Sequence, residues 1–133
     1  MTYLLDTDTC IYWLRDRYLV REKVRQVGWD EISICVITVA ELYFGAYNSN
    51  RVTENLERAE FFIQELSVLP LTDAILRRFG ELKAQFRRIG QPIADFDLMI
   101  ASVALAESKI LVTNNTRHYD RITELQLENW TLP

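Results

Sequence analysis

The sequence predicts an α/β fold, with a central, mainly parallel sheet of four or five short strands and helices on both faces. Two observations favour this fold. Short apolar segments alternate with longer amphipathic segments along the chain, and turn-forming or helix-capping residues follow most of the short ones. The hydrophobic fraction of 49% in 133 residues is enough for one core, so residues 1–133 are expected to form a single domain.

The predicted elements follow one another as β-α-β-α-α-β-α-α-β. The apolar segments 3–5, 32–36, 68–69 and 110–112 are the predicted strands. The predicted helices begin after the capping residues 6–9, run from Thr38 to about Tyr47, from Thr53 to Leu66 and from Asp73 to Arg88, and start again at Asp95. Connections that contain a helix join parallel strands, and their ends then meet at one edge of the sheet.

Acidic and basic residues are segregated along the chain. No Lys or Arg lies in residues 1–14, 26–50 or 89–108. These stretches nevertheless contain Asp6, Asp8, Glu41, Asp95 and Asp97. A carboxylate among apolar neighbours must shift its pKa, find hydrogen-bond donors or bind a metal, and several converging carboxylates favour Mg²⁺ or Mn²⁺. The sequence therefore predicts an acidic metal site where the strands end.

Each acid also has a structural interpretation. Asp6 or Asp8 can cap the first helix, and Asp95 is expected to cap the last, largely apolar helix, with Asp97 near its positive end. Glu41 lies within a helix, where it cannot be a cap, and its alternative is a solvent-facing position. The combination of all these acids, rather than any one of them, favours the metal site.

Four segments carry a resemblance to a known family. Residues 4–11, which contain Asp6-Thr7-Asp8-Thr9, resemble the opening motif of the PIN-domain ribonucleases, and specifically of the VapC toxins of bacterial toxin–antitoxin modules. Residues 37–46 around Glu41 resemble the second acidic motif, and residues 90–102 resemble the third. Residues 111–122, with 128–130 after them, resemble the closing segment. The resemblance covers essentially the whole chain and implies a PIN-like domain.

The resemblance implies a set of site residues. Asp6, Glu41 and Asp97 become the catalytic acids and core ligands of one or two Mg²⁺ or Mn²⁺ ions, with Asp97 chosen because it immediately precedes Leu-Met-Ile-Ala. Many PIN domains have a further Asp where this chain has Asn115, so Asn115 and Asp120 are the additional ligand candidates. Thr7, Asp8 and Thr113 are expected in supporting roles.

The resemblance also implies an activity and partners. It implies hydrolysis of RNA phosphodiester bonds, with transfer RNA as the expected substrate, inhibition by a cognate VapB-like antitoxin, and a homodimer. Arg77, Lys83, Arg87 and Arg88 are the candidate RNA-binding cations, and a solvated helix face is their alternative interpretation. The only histidine, His118, is expected in a surface or loop position. Some of the aromatic residues are expected to form the dimer surface and the antitoxin groove: Tyr12, Trp13, Tyr43, Phe44, Tyr47, Phe61 and Phe62.

Two alternative functions remain at this stage. Asp6-Thr7-Asp8-Thr9 nearly matches the motif of haloacid-dehalogenase phosphatases, although Cys10 replaces the expected Thr or Val. A PIN-like interaction module that no longer binds metal is the second alternative. The sequence has no secretory signal or membrane-length apolar run, which predicts a cytoplasmic protein, and Cys10 and Cys35 are expected as reduced core thiols.

Overall fold

The computed structural model describes residues 2–133 and has five parallel strands and seven α-helices. The strands are β1 (Tyr3–Leu5), β2 (Ile32–Cys35), β3 (Ser67–Leu69), β4 (Ile110–Val112) and β5 (Leu127–Glu128). The helices are α1 (Thr7–Leu14), α2 (Val20–Val27), α3 (Val36–Tyr47), α4 (Val52–Gln64), α5 (Asp73–Arg88), α6 (Asp95–Ala106) and α7 (Thr116–Tyr119). A short 3-10 turn, Trp29–Glu31, leads into β2.

The strands form one sheet in the order β3-β2-β1-β4-β5. β1 is central and pairs with β2 on one side and with β4 on the other, where Tyr3 is in register with Ile110 and Leu5 with Val112. All pairs are parallel, so the carboxyl ends of the strands share one edge. The predicted α/β fold is therefore confirmed.

Each face of the sheet packs into its own apolar cluster. Side chains alternate along a strand, so Leu4 and Leu111 enter the cluster under α5 and α6, whereas Leu5 and Val112 enter the opposite cluster with α1, α2 and α4. Both clusters contain fully buried residues from the central strands. This double burial explains why β1 and β4 are apolar without interruption.

Two predictions about local structure are wrong, and one helix was missed. Thr38 does not cap a helix, because α3 begins directly after β2 with Cys35 as its N-cap, and Thr38 is buried in the first turn. Asp95 does not cap α6, whose N-cap is Ala94, and occupies the first helical position instead. The helix α2 was not predicted, since it has few apolar residues and only Val20 and Val24 are buried.

Other predictions about the chain are confirmed. β1, β4 and α5 have the predicted bounds. Cys10 and Cys35 are buried free thiols, and burial raises the pKa of both. Within residues 2–133, none of the helices combines the length and apolar character needed to cross a membrane.

Candidate functional site

Asp6 lies at the end of the central strand and is the most buried acid of the site. Its side chain N-caps α1, with Oδ1 accepting a hydrogen bond from the Thr9 backbone N–H at 2.9 Å. The residue is only 6% exposed, and among residues 2–133 it forms no ion pair with Lys or Arg. Burial raises the pKa of Asp6, although hydrogen bonds from Thr113 and Thr9 oppose the shift. The fold thus contains a desolvated carboxylate that lacks a cationic partner.

Glu41 is joined to the same edge by a threonine. It lies in the second turn of α3 and is half-buried. The Thr7 hydroxyl, one residue after Asp6, donates to Glu41 Oε1 at 2.5 Å and lies 3.3 Å from the Thr38 hydroxyl oxygen. Thr7 therefore connects the end of β1 to the helix that follows β2, which agrees with its expected supporting role.

Asp97 and Asp95 are two residues apart in α6 but have different surroundings. The carboxylate of Asp95 is paired with Lys83 Nζ at 2.9 Å. Asp97 has no Lys or Arg partner within residues 2–133, and its Oδ2 lies 3.3 Å from His118 Nε2. The structure thus separates a paired surface acid from one that faces the site.

The buried phenol of Tyr119 lies within electrostatic reach of all three acids. Burial raises the pKa of Tyr119 far above its ordinary value, and the charges of Asp97, Asp6 and Glu41 add to the shift, as does a hydrogen bond to Asp97. Acids from the end of β1, from α3 and from α6 therefore lie in the neighbourhood of Tyr119, although they do not form a tight cluster.

The closing segment contributes Thr113 and Asn115 to the edge. The buried Thr113 hydroxyl hydrogen-bonds to Asp6, and its oxygen accepts the backbone N–H of Asn115 at 3.0 Å. Asn115 is exposed and is the N-cap residue of α7. Asp8 is exposed in the first turn of α1, where its charge slightly raises the pKa of Asp6.

Asp120 is exposed at the end of α7 and forms no ion pair within residues 2–133. Its expected alternative, an ion pair with a neighbouring arginine, is therefore absent from this part of the chain. Arg121 instead donates to the backbone oxygens of Gln91 and His118, at 3.0 and 3.3 Å. Asp120 is therefore an exposed charged group without an ion pair in this part of the chain.

The residues fit a hard divalent cation in their chemistry, although their side chains are not clustered as ligands. Within residues 2–133, no three acidic, His or Cys side chains lie close enough together to form a preformed metal site. The donors are nevertheless carboxylates, which Mg²⁺ and Mn²⁺ prefer, and one of them is buried with a raised pKa. Glu41 and Asp97 are partly exposed, so their side chains are not fixed by close packing. Cation binding would draw these side chains together.

The predicted RNA-binding cations lie on α5 but do not share one environment. Arg77 pairs with Asp73 at 2.7 Å, far along the helix from α6. Lys83 and Arg87 line a cavity with Asp95 and the loop before α6. Arg88 is exposed in the last turn of α5. Only the end of α5 around Lys83 and Arg87 therefore lies beside the acidic edge.

A groove between α1, α3 and α4 opens beside Glu41, and its lining contains none of the aromatic residues that were expected to form the antitoxin groove. Its lining includes Ile11, Leu14, Arg15, Glu41, Leu42, Ala59 and Arg58. Arg58 was not singled out in the sequence because it is one charge among many on the polar face of α4. We call this feature the α1–α4 groove; it offers apolar walls with two arginines near the acids.

The aromatic residues divide between core and surface. Trp13 and Phe62 pack edge to face in the core, with ring centroids 4.9 Å apart. Phe44, Tyr47 and Phe61 are between 64% and 68% exposed on α3 and α4. These three side chains are large apolar groups that the domain itself leaves exposed.

Comparisons with known proteins agree with this architecture. The PIN domain family model matches residues 3–125. The protein named tRNA(fMet)-specific endonuclease VapC, from Shigella flexneri, is 33% identical over 132 residues, covering 98% of this chain and 99% of that protein. Ribonuclease VapC2 from Haemophilus influenzae is 36% identical over 132 residues, covering 98% of both.

Solved structures match equally completely. The DNA-bound VapBC complex from Salmonella typhimurium contains a chain with a TM-score of 0.91 and 33% identity, covering 98% of both chains. A chain of VapBC2 from Rickettsia felis, bound to a DNA fragment from its promoter, matches with a TM-score of 0.89 and 32% identity, covering 98% of this chain and 99% of that one.

Proposed function

Because this chain belongs to the PIN domain family, and within it to the VapC ribonuclease toxins, we propose that it is a metal-dependent endoribonuclease that cleaves transfer RNA. The observation that carries the proposal is that three acids from different elements have no Lys or Arg paired to them in residues 2–133: Asp6, Glu41, which is hydrogen-bonded to Thr7 beside Asp6, and Asp97. Acids that lack a cationic partner within the protein are suited to binding a divalent cation.

The site residues have distinct proposed tasks. Asp6, Glu41 and Asp97 would hold Mg²⁺ or Mn²⁺, and the cation would activate a water molecule and neutralise charge on the scissile phosphate. Thr7 orients Glu41 through its 2.5 Å hydrogen bond, and Thr113 holds Asp6 at the end of β1. Asn115 and Asp120 are the additional ligand candidates. Asp8, which is exposed, influences the site only through its charge.

The proposed substrate is transfer RNA, specifically initiator tRNA. Support comes from relatives that are full-length matches at 33% identity and are named for tRNA(fMet). An acidic site repels phosphate, so flanking cations must hold the RNA backbone. Lys83 and Arg87 beside α6 are favoured by their position, whereas Arg77 is paired with Asp73 and Arg88 lies further along the helix end.

The proposed partners are a VapB-like antitoxin and a second copy of the chain. The matched solved structures are VapBC complexes, which supports the antitoxin. The α1–α4 groove beside Glu41 suits an amphipathic segment that covers the site. The exposed Phe44, Tyr47 and Phe61 suit a dimer surface, since apolar surface of this kind is usually covered in an assembly.

RNA cleavage by the purified protein tests the proposal. We expect initiator tRNA to be cut with Mg²⁺ or Mn²⁺ but not after chelation, and elongator tRNAs to be cut much more slowly. The matched control is Glu41→Gln, which removes a charge but almost no volume. A protein that binds an antitoxin but cuts no RNA would support the inert-module alternative instead.

One alternative function can be excluded, and two other expectations stay predictions. The haloacid-dehalogenase alternative is wrong, because the chain belongs to the PIN domain family over residues 3–125. A single domain over residues 1–133 and a cytoplasmic location stay predictions.

A further inference from the structure

His118 contains a buried polar atom that the fold leaves without a hydrogen bond. Among residues 2–133, its Nε2 is the only buried side-chain nitrogen or oxygen with no hydrogen-bond partner. The same atom lies 3.3 Å from Asp97 Oδ2, close enough for attraction but not aligned as a hydrogen bond. A buried polar group in this state costs stability, so its position needs an explanation.

Arg121 determines which ring nitrogen of His118 carries the proton. Arg121 Nη2 lies 3.4 Å from His118 Nδ1. A guanidinium group has only donors, so Nδ1 must be the acceptor and the hydrogen of the neutral ring must be on Nε2. The ring therefore directs an N–H group, rather than a lone pair, towards the Asp97 carboxylate.

Arg121 is itself held in place, which makes the arrangement rigid. Its Nη1 donates to the Gln91 backbone oxygen at 3.0 Å, and its Nε donates to the His118 backbone oxygen at 3.3 Å. Its guanidinium carbon lies 6.0 Å from the centroid of the Phe86 ring. The chain of contacts thus runs from the loop before α6, through Arg121 and His118, to a side chain in the first turn of α6.

We propose that His118 is a positioning residue for Asp97: its Nε2–H binds Oδ2 and fixes the orientation of the carboxylate when it turns towards a divalent cation. The proposal rests on the proposed function, since it gives Asp97 the task of a metal ligand. A small rotation of Asp97 converts the 3.3 Å contact into a hydrogen bond and satisfies the buried nitrogen. Such outer contacts orient carboxylate ligands in metal sites.

Three variants test this role. His118→Ala removes the donor, His118→Gln places an amide N–H near the position of Nε2, and Arg117→Ala changes an exposed neighbour on α7 as a control. For each protein we would measure the rise in melting temperature caused by Mn²⁺ without RNA. We would also measure the Mg²⁺ concentration for half-maximal cleavage and the cleavage rate at saturating Mg²⁺.

We expect His118→Ala to need about 10- to 100-fold more Mg²⁺ for half-maximal cleavage. Its melting temperature should rise less when Mn²⁺ is added, and its cleavage rate at saturating Mg²⁺ should equal that of wild type. His118→Gln should lie between His118→Ala and wild type, and Arg117→Ala should match wild type. Three results would overturn the proposal. They are an unchanged metal requirement in His118→Ala, a low rate that persists at saturating Mg²⁺, and a His118→Gln variant no better than His118→Ala.

The experiment separates this inference from the proposed function. A wild-type protein that neither binds Mn²⁺ nor cuts RNA would overturn the proposed function and this inference together. An active wild type with unchanged Mn²⁺ binding in His118→Ala would overturn this inference alone.

Discussion

Two regions of the molecule contain acids in opposite surroundings. On and around the outer face of α5, acids are paired with cations: Asp73 with Arg77, Glu81 and Glu124 with Arg78, and Asp95 with Lys83. At the carboxyl edge of the sheet, Asp6, Glu41 and Asp97 have no Lys or Arg partner within residues 2–133. The same residue types therefore serve two purposes in one small fold.

The two regions differ in the source of the positive charge that neutralises their acids. Pairs such as Asp73–Arg77, with side chains about four-fifths exposed, are screened by water and contribute little to stability. The edge acids are nearer the interior, where mutual repulsion and lost hydration are stronger. A bound metal cation would reduce both the repulsion and the cost of lost hydration, whereas the acids around α5 are already paired with Lys or Arg. Asp95 and Asp97 show this contrast only two residues apart.

The largest effect should come from neutralising the edge acids. We expect Asp6→Asn, Glu41→Gln and Asp97→Asn each to reduce RNA cleavage at limiting Mg²⁺ by more than about 100-fold, since even the outer supports of metal ligands can cost that much. Each change removes charge with almost no change in volume, so circular dichroism should show an intact fold. Wild-type cleavage by Glu41→Gln would show that the edge acids, although they lack Lys or Arg partners, are no more important for cleavage than the paired acids around α5.

A smaller effect should come from the additional ligand candidates. If exposed Asp120 helps to hold a cation, Asp120→Asn should raise the Mg²⁺ concentration for half-maximal cleavage several-fold. Asn115→Asp should lower that concentration and partly rescue Asp120→Asn, because it adds a carboxylate at the end of β4. An unchanged metal dependence in Asp120→Asn would assign Asp120 to the surface charges, like those of α5.

The metal-free protein should reveal the cost of burying Asp6. Since the pKa of Asp6 is raised by burial, the unfolded chain loses its proton first as the pH rises above 3.8, and stability falls until the folded group has also ionised. Asp6→Asn removes this penalty, so its melting temperature without metal should exceed that of wild type at pH 7. The difference should shrink as the pH approaches 4. A less stable Asp6→Asn protein at pH 7 would contradict this account.

The smallest effect should come from Asp95. Its pair with Lys83 is about half exposed, so Asp95→Asn should change the free energy of unfolding by less than about 1 kcal/mol. Cleavage should stay within several-fold of wild type. Comparison with Asp97→Asn in the same assay is the control. A loss of cleavage as complete as that of Asp97→Asn would show that Asp97 was wrongly chosen over Asp95 as the site residue.

The sequence predicted the parts of the fold that depend on local pattern. β1 and β4 are uninterrupted apolar segments, α5 has a clear helical periodicity, and the bounds of all three match the prediction. The α2 helix was missed although Val20, Val24 and Val27 have helical spacing, because the helix is short and half of its residues are charged. Thr38 and Asp95 looked like caps, but α3 starts without an intervening loop and α6 starts after Ala94.

The acids proposed for the site could be singled out from the sequence, whereas the contacts of His118 could not. Asp6, Glu41 and Asp97 stood out because apolar neighbours without cations make a carboxylate unusual. His118 did not stand out, because a single histidine between Arg117 and Tyr119 gives no sign of burial. Its proposed role depends on Arg121, three residues later, and on Asp97 in α6. Contacts of this kind become visible only in three dimensions.

The pairing of β1 with β4 also sets the order in which the protein can mature. Thr9 hydrogen-bonds to the Val112 backbone oxygen, 103 residues later, and Tyr3 is in register with Ile110. Contacts so distant in sequence form late, after most of the chain has been synthesised. Asp6, at the end of β1, therefore reaches its final surroundings only after β4 has paired with β1. A growing chain that has not yet produced β4 therefore lacks the assembled edge.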